Sequence, residues 1–461
     1  MIKVTLSKKK YVIFFFVFIC ASCVAIMANI VPSMLFLAIV IGLIGLILAL
    51  HFIEIFLLVA LFARSSLDAL RDVRIIPGAL YVNPASALSI AIVLVGIIFL
   101  LVKKSSLRVN KIDKAFLIFI GVSALGVINA FHHFGVSGNE SIKEWVRLLS
   151  LFLLYFLIKN IVKTSKQIST FINVIFLSLV IPLTVGYYQL FTRAESTMAR
   201  IGFHRIYGTA VHSNHFALYL SFFLIFVLIL FLMERKKKYL YYSLILGIPF
   251  FATLSLNGLV MIGISVFIIG IIKYRKFMLP GLLILIIIIL AVPPLQQRLA
   301  KLRETNIREE IETGNITTSF SWRIYWWSLY VKKIQERPVQ GFGLHMSEQV
   351  NPQERQFDVV RAPHNDFLRV LIEMGIIGLL VYLYFYYTIG MWIWRTYKKT
   401  SPEKYKNLAL ALFAIFIAFV AGSFVGNFIT STIFQYYFWS ALGLLAAYNG
   451  LPKNNEENAN P

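Results

Sequence analysis

Two residue classes are scarce in this chain. Only 2 of its 461 residues are cysteine, and 21 are acidic against 44 that are Lys or Arg. Cys20 and Cys23 form a CxxC inside an apolar run, with no other cysteine to complete a four-ligand zinc site. They read as packing residues, and a disulfide framework is excluded. Charge of either sign is also thin, at 14% of residues where soluble domains carry about 25%. With 59% of residues hydrophobic, the composition excludes a soluble globular protein.

What is present is a series of apolar runs. Fourteen approach the ~20 residues needed to cross ~30 Å of hydrocarbon: 11–31, 33–50, 52–63, 85–102, 115–131, 145–161, 169–191, 213–233, 240–256, 258–272, 278–294, 366–394, 408–422 and 429–448. The third is short and the boundary near Asn257 is soft, so an all-α polytopic membrane protein of 12–14 transmembrane helices is expected. The basic start followed by an apolar run that continues past Cys23 to Val31 reads as an uncleaved signal anchor.

Lysine sets the orientation. Clusters at Lys8 to Lys10, Lys103-Lys104, Lys159 to Lys166, Lys236 to Lys238, Lys273 to Lys276 and Lys398-Lys399 fall on alternate loops, which the positive-inside rule assigns to the cytoplasm. The resulting plan is a cytoplasmic N-terminus (1–10), a membrane domain (11–294), a large extracytoplasmic loop (295–365), C-terminal transmembrane helices (366–450) and a cytoplasmic tail (451–461). The net charge of +23 is then topology and anionic-lipid attraction, with no call for nucleic acid.

Arginine does the reverse: 14 of 19 fall on outer segments. Its planar fork matches phosphate or carboxylate, so this bias suggests anion recognition outside. The alternative is pairing with outer carboxylates such as Glu304, Glu309, Glu310 and Glu312. The long loop contains helical signals of its own. "RLAKLRETNIREEIET" suggests one amphipathic helix ending near Gly314, and "SFSWRIYWWSLYVKKIQER" a second with an interfacial aromatic belt, closed by Pro338 and a Gly341-Phe342-Gly343 turn.

Seven of eight histidines lie on or beside outer loops. His212 and His215 in "HSNH" lack the further ligands a metal site needs, so no metal and no cofactor are expected. His364 immediately precedes an apolar helix that Asn365 or Asp366 can cap, close to free amides at the positive end of the dipole. Asp366, Arg369 and Glu373 form a stripe on that helix, with Arg369 and Glu373 spaced as an i,i+4 pair; these read as holding the helix together. "RIYGTAVHSNHFALYL" repeats the design, with Arg205, Gly208 and Asn214 before an inward-running span. The segments at Arg205, Arg323 and His364 are expected to converge on one anionic ligand.

Taken in order, "RIYGTAVHSNHFALYL", "SWRIYWW", "RPVQGFGL" and "PHNDFLRVLIEMGIIGLL" resemble the O-antigen ligase and polymerase superfamily of bacterial envelope enzymes, over roughly residues 200–395. The resemblance implies a metal-independent glycosyltransferase in the cytoplasmic membrane with its active site facing outside. Its donor would be an undecaprenyl-diphosphate-linked glycan, and its product a polymer of capsular, exopolysaccharide or teichuronic type. Membrane lipid and other polysaccharide assembly proteins are the implied partners. It casts His364 as the base, Arg205 and Arg323 as diphosphate ligands, and Asn214, Asn365, Gly341, Gly343 and Glu373 as support, while Arg200 and Arg361 are the candidates to replace a diphosphate contact that the family pattern has and this chain lacks. The family's Ser-Arg-Gly-like stretch is here "TLSLNGLV", with Leu256 and Asn257 after Ser255 and no arginine. A ligase joining a finished glycan to an acceptor lipid or wall component uses the same parts. A lipid-linked sugar or anion transporter is the alternative from another class; it calls for charges in mid-membrane and paired broken helices.

Overall fold

The computed structural model describes residues 33–73, 82–102, 107–193, 197–198, 204–304, 306–313, 319–350 and 362–451. The first apolar run with Cys20 and Cys23, Gly314, Arg200 and Arg361 lie outside the described residues. The fold is all-α. Its helices are α1 (Ser33–His51), α2 (Ile53–Leu67), α3 (Pro84–Val102), α4 (Lys111–Phe134), α5 (Asn139–Ile161), α6 (Ser165–Leu177), α7 (Val180–Thr192), α8 (Ser213–Glu234), α9 (Lys238–Ala252), α10 (Leu256–Ile272), α11 (Arg275–Ala291), α12 (Pro293–Glu304), α13 (Ile307–Thr313), α14 (Ser319–Ile334), α15 (Asp366–Lys399), α16 (Glu403–Gly422) and α17 (Thr432–Asn449). One short antiparallel ladder pairs β1 (Thr197–Met198) with β2 (His204–Arg205). Among the described residues, six helical segments are long and apolar enough to cross a bilayer, or seven with the bent pair Gly42–His51 and Ile53–Leu70, which turns by 116°. This is a multi-pass membrane protein.

Local chemistry sets the helix ends. Asn110 and Asp113 form a capping box at α4, as Thr164 and Gln167 do at α6. Ser255 caps α10 by accepting from the Gly258 amide at 3.3 Å. In the long segment before Gly314, the single amphipathic helix expected from the sequence is two. The Asn306 side chain accepts from the Glu309 amide at 3.4 Å and starts α13 afresh, because an asparagine offers the backbone a local partner that competes with helix continuation.

Lipid is as apolar as leucine, so helices in a membrane associate by close packing more than by hydrophobic transfer. Small residues and aromatic rings supply it here. A methyl on Gly443 of α17 would meet the Tyr155 carbonyl of α5 at 2.9 Å. Phe119 and Phe385 stack at 5.3 Å between α4 and α15, and Phe385 stacks on Trp439 of α17 at 5.7 Å. Large apolar side chains such as Leu125, Ile128, Leu283, Ile287 and Tyr387 point outward, toward the lipid such a surface requires. Lys159 departs from its expected place in a solvated cytoplasmic cluster. It is 2% exposed and its ammonium donates to Asp113 at 2.6 Å, because a charge this deep is retained only with a partner.

Candidate active site

The site is organised by the start of α15 and by a break within it. Asn365 is the N-cap, its side-chain oxygen accepting from the Leu368 amide at 3.0 Å. His364, just before, is half-buried with φ +51°. That left-handed conformation is uncommon outside glycine, and such residues cluster at functional sites. Its Nδ1 lies 3.1 Å from Asn427 Nδ2. Asn427 belongs to the turn between α16 and α17 and carries no sequence signal that would have singled it out.

Asp366 holds that turn. The expected stripe of three charges supporting one helix needs correction here, since Asp366 makes its contacts across elements. One carboxylate oxygen accepts the Phe428 and Ile429 amides, each at 2.9 Å, and the Asp366 amide donates to the Ser423 carbonyl at 2.8 Å. A buried carboxylate needs hydrogen bonds, and the turn's amides provide them. Asp366 therefore fixes Asn427, which faces His364.

The break falls at Gly375, with φ +66° and ψ −167° inside an otherwise continuous helix. The loop after α14 inserts its backbone here: Phe342 donates to the Ile372 carbonyl at 2.9 Å, Gly343 to the Glu373 carbonyl at 2.8 Å, and Ile376 to the Pro338 carbonyl at 2.8 Å. A methyl on Gly341 would sit 2.6 Å from the Glu373 backbone, one on Gly343 2.5 Å from the Ala130 backbone, and one on Gly375 against the Val339 carbonyl. The Pro-x-x-Gly-x-Gly motif is thus a scaffold: its glycines let two backbones touch where an unpaired amide or carbonyl in a membrane would be costly.

This insertion brings charges together. Arg369 Nε donates to Glu373 Oε1 at 2.9 Å, so the i,i+4 pair is present. Ser347 Oγ donates to the same oxygen at 2.7 Å, and Arg369 Nη2 lies 2.7 Å from His345 Nδ1. Glu144 and Arg147 pair beside them on α5. Tyr330 of α14 donates its hydroxyl to the Ser347 carbonyl at 2.9 Å, and burial, followed by the nearby Glu348 and Glu373 charges, raises that hydroxyl's pKa so that it stays protonated. Arg64 pairs with Asp68 at 2.7 Å. For Arg64 and Arg369, then, carboxylate pairing is the observed arrangement.

Arg205 has a different setting. Its Nε donates to the Thr253 carbonyl at 2.8 Å and its Nη2 to Asn214 Oδ1 at 3.0 Å, while Ser255 Oγ donates to the same amide oxygen at 2.9 Å. Gln189, which sequence reasoning missed, accepts the Tyr207 and Gly208 amides at 3.0 and 2.8 Å and so holds the turn after Arg205. His212 uses Nδ1 to cap α8, accepting from the Asn214 amide at 3.1 Å. The Arg205 and His364 arrangements approach each other at Asn257: a methyl on Gly426 would lie 2.9 Å from its Nδ2, so the residue marking the departure from the family pattern stands against the turn that carries Asn427. Arg323 lies on α14 one turn before Trp327, whose indole N–H donates to the Pro363 carbonyl at 2.7 Å, so their shared helix face meets the segment leading into His364.

Two comparisons bear on this arrangement. Residues 241–383 match the family model described as O-antigen ligase, a stretch running from α9 into α15 and including α14, the glycine loop, His364 and Glu373. A provisionally named polysaccharide ligase of Rickettsia conorii (strain ATCC VR-613 / Malish 7) is 27% identical over 131 residues, covering 26% of this chain and 29% of the relative's own length. The resemblance to the O-antigen ligase superfamily carried by the motifs holds in both.

Proposed function

Proceeding from that resemblance, we propose that this protein polymerises undecaprenyl-diphosphate-linked repeat units of a surface polysaccharide at the outer face of the cytoplasmic membrane, without a metal. The observation that carries the reading is the His364–Asn427 contact at the head of α15. As drawn, Asn427 turns Nδ2 to the ring and leaves its own Oδ1 buried without a partner. The opposite amide orientation satisfies that oxygen by giving it the ring's Nδ1–H. Nε2 then carries the ring's basic lone pair, the one assigned to take a proton.

In this reading the acceptor sugar hydroxyl gives its proton to His364 Nε2 as its oxygen bonds to the donor's anomeric carbon. The bond from that carbon to the diphosphate oxygen breaks, and the lipid diphosphate leaves as an anion. Arg205, Arg323, Arg200 and Arg361 are assigned to that developing charge. Arg205 is braced for such a task by Thr253 and Asn214. The ligase alternative is favoured by the name of the Rickettsia relative and differs only in acceptor.

The test is purified protein in liposomes supplied with a lipid-diphosphate oligosaccharide. Wild type is expected to lengthen the glycan, and His364→Ala to lose about 10²–10⁴-fold in rate. Equal chain growth in both would remove His364 from the chemistry. Transfer to an added acceptor lipid without chain growth would select the ligase, and lipid flipping without transfer would select a transporter. Asn427→Ala is expected to lose about tenfold, with Asn427→Asp recovering rate and shifting the pH profile to higher pH, since a carboxylate beside the ring favours its charged form.

A further inference from the structure

The loop that inserts at Gly375 carries a histidine with no part in the steps assigned to His364. His345 is half-buried with φ +62°, the left-handed conformation that His364 also adopts. Its neighbours are pinned on both sides. Leu344 and Met346 are buried, the Leu344 amide donates to the Gly126 carbonyl of α4 at 3.0 Å, and Ser141 of α5 donates its hydroxyl to the Leu344 carbonyl. A fixed, strained turn thus presents one polar ring, and strain of this kind concentrates at functional sites. Arg369 decides which ring nitrogen carries the hydrogen. A guanidinium only donates, so the 2.7 Å contact between Arg369 Nη2 and His345 Nδ1 makes Nδ1 the acceptor and puts the hydrogen on Nε2. Nε2 is on the ring edge away from Arg369 and has no hydrogen-bond partner among the described residues.

Two separate spacings set His345 beside His364. Along α14, Trp327 donates to the Pro363 carbonyl, and Tyr330, about 4.5 Å farther up the helix axis, donates to the Ser347 carbonyl. Along α15, Asn365 caps the helix next to His364, and Arg369, about 6 Å farther along, meets the His345 ring. Both put the His345 turn about one helical turn beyond His364. Arg323 precedes Tyr330 by two turns of α14 and so falls on the same helix face. We infer that His345 is a second functional histidine of this site, a fixed Nε2–H donor to a phosphate oxygen of the lipid diphosphate. The inference rests on the glycan-transfer reading. Arg369, itself held by Glu373, polarises the ring from behind, which favours an anionic oxygen over a sugar hydroxyl at Nε2. No proton moves at His345: as the bond to the anomeric carbon breaks, charge gathers on the departing diphosphate and the hydrogen bond strengthens with it. One histidine accepts and the other donates.

The experiment separates the two edges of the ring, using the full-length protein in the liposome assay. His345→Asn keeps an acceptor near Nδ1 for Arg369 and tolerates the left-handed backbone, but has nothing at the Nε2 position. His345→Gln restores an amide N–H near Nε2 and gives up the Nδ1 acceptor. His345→Asn is expected to lengthen the glycan about 10²-fold more slowly than wild type, the loss typical of one such donor, with thermal unfolding unchanged. His345→Gln is expected to regain about tenfold of that rate. In native mass spectrometry with undecaprenyl diphosphate, the leaving group itself, His345→Asn is expected to retain less than His345→Gln. Wild-type speed in His345→Asn, or equal losses of rate and retention in the two variants, overturns the inference and leaves His345 as a partner of Arg369 alone. A wild type that neither lengthens nor transfers the glycan overturns the glycan-transfer reading instead, and the retention comparison then decides the phosphate contact by itself.

Discussion

Two buried ion pairs lie at opposite ends of this molecule, and they are built differently. At the lysine-rich end, Lys159 donates to both oxygens of Asp113, and Asp113 also closes the Asn110 capping box, where Asn110 Nδ2 meets the Tyr155 hydroxyl at 2.8 Å. The partners satisfy one another within two helices and one turn. At the other end Arg369 and Glu373, each 3% exposed, share their atoms with Ser347 and His345 from an inserted loop. One pair is self-contained, and the other is a junction between segments. Burial of charge therefore does not identify a site; the number of elements that depend on the charge does.

Single substitutions should hide this difference and doubles should expose it. Lys159→Ala and Arg369→Ala are each expected to cost about 3–5 kcal/mol, since each leaves a buried carboxylate unpaired; thermal unfolding in detergent reads both. Asp113→Leu with Lys159→Met is expected to recover all but about 1 kcal/mol, the remainder being the lost cap. Glu373→Leu with Arg369→Met should remain about 1–3 kcal/mol short, because the Ser347 hydroxyl keeps no partner. Equal recovery at both ends would erase the contrast.

Smaller effects sharpen it further. Gly375→Ala forces a side chain into the left-handed region and against the Val339 carbonyl, and is expected to cost about 1–3 kcal/mol. It should also raise protease sensitivity of the 338–350 loop; a loop as protected as in wild type would show that the insertion does not depend on the break. Asn365→Ala removes only a cap, and a loss of about 1 kcal/mol in the same unfolding assay is expected.

The sequence carried much of this because membranes impose simple rules. The thirteen apolar runs within the described residues are mainly helical, since a backbone in hydrocarbon must satisfy itself, but the run 169–191 is two helices parted at Ser178 and Leu179, and the run 240–256 extends past the end of α9 at Ala252. The Asn365 cap and the Arg369–Glu373 pair were legible because both are local, within one turn of helix. Pro338, Gly341 and Gly343 announced a turn, yet what they turn into was invisible: a break in a helix that begins 23 residues after Gly343.

What the sequence determined by itself was the class of molecule, its helical runs and the residues bearing the family motifs, all set by composition and short-range spacing. Only the tertiary structure decided that Asp366 holds the turn carrying Asn427, that Asn427 lies 63 positions from the His364 ring it meets, and that Lys159 is buried against Asp113. Those pairings join segments distant in sequence, and nothing in a one-dimensional pattern says which amide will satisfy which buried charge.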